Sequence, residues 1–210
     1  MKYRNFIAVL ISFILILTSQ AQEIIEEFTI NVSSVFDFAW SPSGDFIAVG
    51  NSEEIQIIQV QEQTIVSSIS TTSHSLAWSP DGSQIASYSL IDNSISIFDI
   101  ESGELEKIID GIQEINDMDD FISVRDLTWN ECGLFSINGA VDLFVWGESE
   151  LLPEPLRLSG HSEAVINTMI TDDCQTVVTS SADAKLRIWS IESGKNTLVL
   201  DVSRAFTIQN

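Results

Sequence analysis

The sequence predicts an all-β chain built from four repeated units of about four antiparallel strands each, and three observations carry that prediction. The first is a recurring turn: W-S-P-S-G at residues 40–44, W-S-P-D-G at 78–82 and W-N-E-C-G at 129–133. The second is a period. A first-strand landmark falls at Trp40, Trp78, Trp129 and Ile170, with spacings of 38, 51 and 41 residues. A third-strand landmark falls at Ile58, Phe98, Trp146 and Trp189, with spacings of 40, 48 and 43. A sheet of four short strands with its turns needs roughly 40 to 45 residues, so both series fit one sheet per repeat. The third is alternation of apolar and polar residues, as in I-Q-I-I-Q-V at residues 55–60, the period of a half-buried strand.

Taken in order, repeat one spans about 33–69 and reads V-F-D-F-A-W, a turn, D-F-I-A-V-G, then the alternating run and an outer strand at 63–69. Repeat two, about 70–109, has the most regular turn, L-A-W-S-P-D-G-S-Q-I-A-S. Pro presets φ at the second turn position and Gly tolerates positive φ, so Pro-Asp-Gly closes a tight reversal. Repeat three, about 121–158, has a second strand some two residues short. Repeat four, about 159–202, is the most complete, opening on Gly160-His161 and closing on I-W-S-I-E-S-G-K. A lone alternating segment at 27–32 looks like an outer strand without its sheet, and 203–210 starts a fifth repeat.

With these motifs the chain resembles the WD-repeat (WD40) family of β-propellers, over residues 35–202 or so. The resemblance implies sheets arranged radially as blades, with a sequence unit offset from the blade. Propellers usually close with four to eight blades. Four inner strand triplets and five outer strands therefore imply an incomplete arc or, alternatively, a closed ring of four. The open ends of an arc expose strand edges and apolar faces that another chain must cover.

The resemblance also implies a structural tetrad of His161, Thr179, Asp183 and Trp189, a buried chain of hydrogen bonds from carboxylate to imidazole to hydroxyl to indole. A Ser/Thr-His-Asp set invites a hydrolase reading. Thr179 lies inside a predicted strand, however, and no G-x-S-x-G elbow occurs, so no catalytic residue is expected. Repeat two has Asp92 and Phe98 without a Gly-His, and repeat three has Ala140 where the Asp belongs. Blades one to three are therefore expected to rest mainly on apolar packing. His74, four residues before Trp78, is read as a partly buried structural residue.

Lys2 and Arg4, an apolar run at residues 6–17 and T-S-Q-A at 18–21 describe a secretory signal helix cut after Ala21, or else an uncleaved anchor. Either reading predicts a secreted, periplasmic or extracellular body, with no membrane span once the signal is cleaved. The leader carries two of nine basic residues and none of the 31 acidic ones, so residues 22–210 have net charge −24. Such a chain does not bind a phosphate backbone unaided. The charge reads first as a repulsive, solubilising surface.

Residues 104–120 hold seven acids and one Lys, and a second acidic loop spans 148–155. The first lacks the Gly and terminal Glu of a calcium-binding loop, so no metal or cofactor is expected there. Cys132 and Cys174 occupy equivalent turns of successive repeats, expected to lie beyond the roughly 7 Å Cα limit of a disulfide, which predicts two free thiols.

The expected function is a non-catalytic scaffold or protein-interaction module, whose acidic loops favour a protein or peptide partner with basic groups. Self-association or pairing with missing blades is a further expectation. The alternatives are the propeller portion of a larger hydrolase or transport-accessory protein, and a truncated fragment without separate activity.

Overall fold

A computed structural model of the chain describes residues 34–109, 124–138, 141–146 and 156–202. The leader, the segment at 27–32, most of both acidic loops, Ala140 and the start of a fifth repeat lie outside the described residues. The described residues form sixteen strands and no helix. They make four four-stranded antiparallel sheets, as the repeats predict. Blade 1 is β1 (Asp37–Trp40), β2 (Phe46–Gly50), β3 (Ile55–Gln59) and β4 (Thr64–Ile69), paired in that order. Blade 2 is β5 (Ser75–Trp78), β6 (Gln84–Ser89), β7 (Ser94–Asp99) and β8 (Leu105–Ile109). Blade 3 is β9 (Val124–Asn130), β10 (Gly133–Asn138), β11 (Asp142–Trp146) and β12 (Leu156–Leu158). Blade 4 is β13 (Val165–Ile170), β14 (Thr176–Ser181), β15 (Lys185–Ser190) and β16 (Asn196–Asp201).

The recurring turn sets the register inside each blade. In blade 2 the Gly82 amide donates to the Ser79 carbonyl at 2.9 Å, with Gly82 at φ 75°. The Ser79 hydroxyl donates to Asp81 and accepts from the Gln84 amide, at 2.7 and 2.9 Å. Blade 1 repeats this with Ser41 and Gly44, and blade 4 with Thr171 and Cys174, whose φ is 57°. A turn fixed in this way places Trp78 opposite Ile85, and Ile85 opposite Phe98. Because side chains alternate between sheet faces with period two, these three share one face, and Ala77, Ala86 and Ile97 share the other.

Those two faces make the junctions. Ala48, Ile55, Ile57 and Ile69 of blade 1 pack against Leu76, Trp78, Ile85 and Phe98 of blade 2. Ala86, Tyr88 and Ile97 of blade 2 meet Leu127, Leu134 and Trp146 of blade 3. Phe135, Leu143 and Leu158 of blade 3 meet Val165, Val177 and Trp189 of blade 4. Each large apolar side chain so buried contributes about 1.5–3 kcal/mol. Backbone polar groups are satisfied across the first two junctions as well. Asp37 accepts from the Leu76 amide at 2.8 Å, and Ser75, at the same register, accepts from the Leu127 amide at 3.1 Å. The Trp78 indole donates to the Ala39 carbonyl at 3.0 Å.

The cysteines correct the expectation of free thiols. Cys132 and Cys174 form a disulfide, with Cα atoms 5.2 Å apart, that staples blade 3 to blade 4. The turn after Trp129 is shortened, so that β10 begins directly after Cys132, and Cys174 takes the left-handed backbone that Gly holds in the other turns. Both departures bring equivalent turns closer than a regular blade spacing suggests.

Two stability predictions follow from this packing. A Cβ on Gly50 would lie 2.7 Å from Ser73 Oγ and 3.2 Å from Leu76 Cδ1 at the first junction. Gly50→Ala is expected to destabilise by about 1–3 kcal/mol in denaturant unfolding. The disulfide spans 42 residues of sequence. Replacing both cysteines by Ser is expected to cost about 3–4 kcal/mol, and the denatured parent is expected to release no thiol to a thiol reagent before reduction.

Candidate functional site

Between the β5–β6 turn of blade 2 and the β9–β10 turn of blade 3 lies a cleft of about 420 Å³. Ser79, Pro80, Asp81 and Gln84 form one wall, and Trp129, Glu131 and Cys132 the other. Asp81 is fully exposed, yet its carboxyl is held at about 2, first by the Ser83 amide, then by the Ser79 and Ser83 hydroxyls. It stays ionised at any working pH. Glu131 is exposed on the opposite wall, which also holds the half-buried Trp129. An ionised carboxylate, a second carboxylate and an indole suit a cation, through charge-assisted hydrogen bonds and attraction to the ring face.

A second concentration of negative charge lies on the innermost strands. Asp37, Ser75 and Asp126 occupy the same register position in blades 1 to 3. Burial raises the Asp126 carboxyl above its ordinary value, and the charge of Asp37 adds to the rise. The charge of Asp37 thus disfavours ionisation of Asp126, a tension that a cation or a proton on Asp126 relieves.

In blade 4 the structure places His161, Thr179, Asp183 and Trp189 in one hydrogen-bonded chain. His161 Nδ1 lies 2.9 Å from Asp183 Oδ2, His161 Nε2 lies 2.7 Å from Thr179 Oγ1, and the Trp189 indole donates to that hydroxyl at 2.9 Å. The imidazole and carboxylate side chains are 1% and 3% exposed. Burial alone raises the Asp183 carboxyl, but the His161 hydrogen bond and the Ser162 amide, helped by His161's charge and the Lys185 amide, outweigh it and hold the group at about 2.

The other blades keep parts of this arrangement. In blade 3 the Trp146 indole donates to Ser136 Oγ at 2.8 Å, the same pair one blade earlier. In blade 2 the equivalent hydroxyl, Ser87, is buried without a partner, because Phe98 has no N–H to donate. Asp92 bonds Ser89 instead of an imidazole, at 3.1 Å. His74 stacks on Phe36 at 4.7 Å and accepts from the Leu90 amide at 3.2 Å, and burial lowers its pKa.

Sequence reasoning placed the binding surface on the acidic loops and missed Asp81 and Glu131. Both sit in the recurring turns, where composition looked ordinary; only the stacking of two turns makes a cleft. Ser136 was within reach, since it stands ten residues before Trp146 as Thr179 does before Trp189. Among the described residues no group of three or more His, Cys, Asp or Glu is disposed to hold a metal ion, and no helix is long and apolar enough to cross a membrane.

The family model "WD domain, G-beta repeat" matches residues 61–99 and 154–190. Each match runs from the outer strand of one blade through the third strand of the next, which is the offset between sequence unit and blade. The COMPASS component SWD3 of Saccharomyces cerevisiae is 30% identical over 164 residues, 73% of this chain and 48% of the relative. The apoptotic protease-activating factor 1 of Danio rerio is 40% identical over 40 residues, 19% of this chain and 3% of that protein. Among solved structures, the β-propeller domain of Myceliophteria thermophila Cps50 (Swd1) superposes with TM-score 0.62 at 14% identity, over 83% of this chain and 57% of that one. The dihydro-heme d1 dehydrogenase NirN superposes with TM-score 0.64 at 13% identity, over 82% and 38%. The chain thus spans about half the length of the yeast relative.

These findings correct the expected location. A relative that is a COMPASS component of yeast points to an intracellular location rather than a secreted, periplasmic, extracellular or anchored one. A basic pair before a short apolar run is a compositional pattern, and it lies outside the described residues. The paired sheets, their offset sequence units and the matched repeats make the chain a member of the WD40 β-propeller family.

Proposed function

We propose that the chain is a non-catalytic protein-interaction scaffold whose partner seats a basic side chain in the cleft between blades 2 and 3. The observation that carries this reading is the cleft itself, which is lined by Trp129, Glu131 and the ionised Asp81. A formal net charge of −22 draws a basic partner from a distance and repels an acidic one. The naming of the yeast relative as a component of a complex supports protein partners. Nothing in the buried polar chain of blade 4 favours catalysis. The Thr179 hydroxyl is buried and already shared between His161 and Trp189, so it has no free direction toward a substrate. Its role in this reading is structural, tying the second and third strands of blade 4 and the turn between them to the chain that enters the blade.

Two measurements test this. Binding of a Lys- and Arg-rich peptide is expected to weaken about tenfold, near 1.4 kcal/mol, in the Asp81→Asn, Glu131→Gln double variant, and to weaken with added salt. Affinity indifferent to both would dismiss the cleft. For the buried chain, the folded Asp183 carboxyl sits at about 2, below its ordinary 3.8. Its contribution is therefore complete above about pH 4 and lost as pH falls toward 2. Asp183→Asn is expected to cost about 1–3 kcal/mol at pH 7 and to flatten the acid limb of the stability profile. An unchanged profile would remove the structural role.

A further inference from the structure

The β9–β10 turn takes part in two junctions at once. On the side of blade 2 it walls the cleft, with Glu131, Cys132 and Gly133 across from Ser79, Pro80 and Asp81. On the side of blade 4 it is tied to the β13–β14 turn by the Cys132–Cys174 disulfide. Neighbouring sheets pack about 10 Å apart, yet the Cα atoms of the two cysteines are 5.2 Å apart. The bond therefore holds the β9–β10 turn toward blade 4, on the side away from Asp81.

The hairpin around the bond is short. Asn130 pairs with Gly133, which leaves Glu131 and Cys132 as its loop. The Cys132 amide donates to Asn130 Oδ1 at 2.9 Å, a bond inside the hairpin, and Gly133, at φ 127°, has the backbone freedom of a residue without Cβ. Once the sulfurs part, the Cys132 thiol keeps a weak donor contact to the Thr171 carbonyl, 3.7 Å away. Both cysteines are half-buried at the rim, beside the exposed Glu131, Asp172 and Asp173, so a small thiol reaches the bond. An intracellular location, to which the yeast relative points, keeps thiols reduced, and disulfides found there are as a rule transient.

We infer that the Cys132–Cys174 disulfide is a reversible thiol switch on the cleft, which is open to a basic side chain when the bond is formed and slack when it is broken. The inference rests on the reading of the cleft as the site for a basic partner. Reduction proceeds by thiol–disulfide exchange with a dithiol. One thiolate of the dithiol attacks a sulfur of the bond, and the other cysteine leaves as a thiolate that takes up a proton. The second thiolate of the dithiol then displaces the mixed disulfide. The reductant ends as a cyclic disulfide, and two electrons and two protons reach Cys132 and Cys174. An oxidised dithiol reverses the sequence. Released, the β9–β10 turn relaxes toward the ordinary sheet spacing, which carries Glu131 toward blade 2 and narrows the cleft. Coupling between two sites is typically about 5–150-fold.

The probe is the Lys- and Arg-rich peptide, titrated into the folded full chain before and after treatment with dithiothreitol. Alkylation of the folded chain is expected to find no thiol before treatment and both cysteines after it. Affinity of the reduced chain is expected to fall about tenfold and to return on reoxidation. Binding and reduction are reciprocal, so saturating peptide is expected to raise the ratio of reduced to oxidised dithiothreitol at half-reduction by the same factor. The Cys132→Ser, Cys174→Ser double variant is expected to bind as the reduced chain does and to ignore dithiothreitol, with circular dichroism establishing that both are folded. A folded reduced chain that binds as tightly as the oxidised one, or a bond that yields only after denaturation, overturns the switch and leaves the cleft reading standing. Loss of the fold on reduction makes the bond a staple of stability alone and also overturns the switch. An oxidised chain that ignores the peptide, or binds it equally with Asp81→Asn and Glu131→Gln in place, refutes the cleft reading and the switch with it.

Discussion

Face-to-face packing of one sheet on the next is the constraint from which the rest of the structure descends. A four-stranded sheet cannot bury two apolar faces alone, so each blade depends on both neighbours. The demand reaches down to single residues. Small side chains on the inner strands, Ala39, Ala48, Ala77 and Ala86, stand where the facing blade presents indole or phenyl rings, and Gly50 leaves room for Ser73 and Leu76. Alternating small and large groups across a junction lets the rings interdigitate without voids. Period two then does the remaining work, because one fixed turn per blade aligns every cross-strand row at once.

Polar groups inside such junctions have to be partnered, and the blades differ mainly in how they manage it. The hydroxyl position occupied by Val49, Ser87, Ser136 and Thr179 shows the range. Blade 1 removes the hydroxyl. Blade 3 pairs it with Trp146, and blade 4 adds His161 and Asp183. Blade 2 keeps the hydroxyl and loses the donor, leaving Ser87 Oγ buried and unpaired. An unpaired buried group of this kind costs about 1–3 kcal/mol. Blade 2 offsets it with the large buried side chains Ile85, Ile95 and Tyr88 on its two faces, each at most 1% exposed.

The elements that depend on chain-local pattern were legible in the sequence. Turn residues, strand alternation and the spacing of Trp40, Trp78 and Trp129 act within one repeat, so the four sheets could be placed without coordinates. What escaped depends on two repeats meeting. The Cys132–Cys174 bridge needed the shortened turn and the left-handed Cys174 backbone to be seen together. The cleft needed Asp81 and Trp129, 48 residues apart in sequence, to lie across one junction. The location was read from the composition of the N-terminal run alone, and it is the location that the yeast relative corrects.

The same geometry explains why the polar cleft and the apolar junction faces occur on different parts of the molecule. Junction faces are built from the alternating strand residues, which the core makes apolar. The rims are built from the turns, whose Ser, Asp and Gly are required by backbone conformation and are therefore polar whatever the core demands. Where two turns are of equal length their rims stand level. At the second junction the β9–β10 turn is shorter than the β5–β6 turn, and the cleft lies there, lined by Pro80 and Asp81 from one turn and Trp129 from the other. The disulfide fixes the shorter turn from its other side through Cys132, next in sequence to Glu131. The shortened turn thus bears on both features, on the covalent staple together with the left-handed Cys174 backbone and on the cleft by setting Trp129 and Glu131 in its wall.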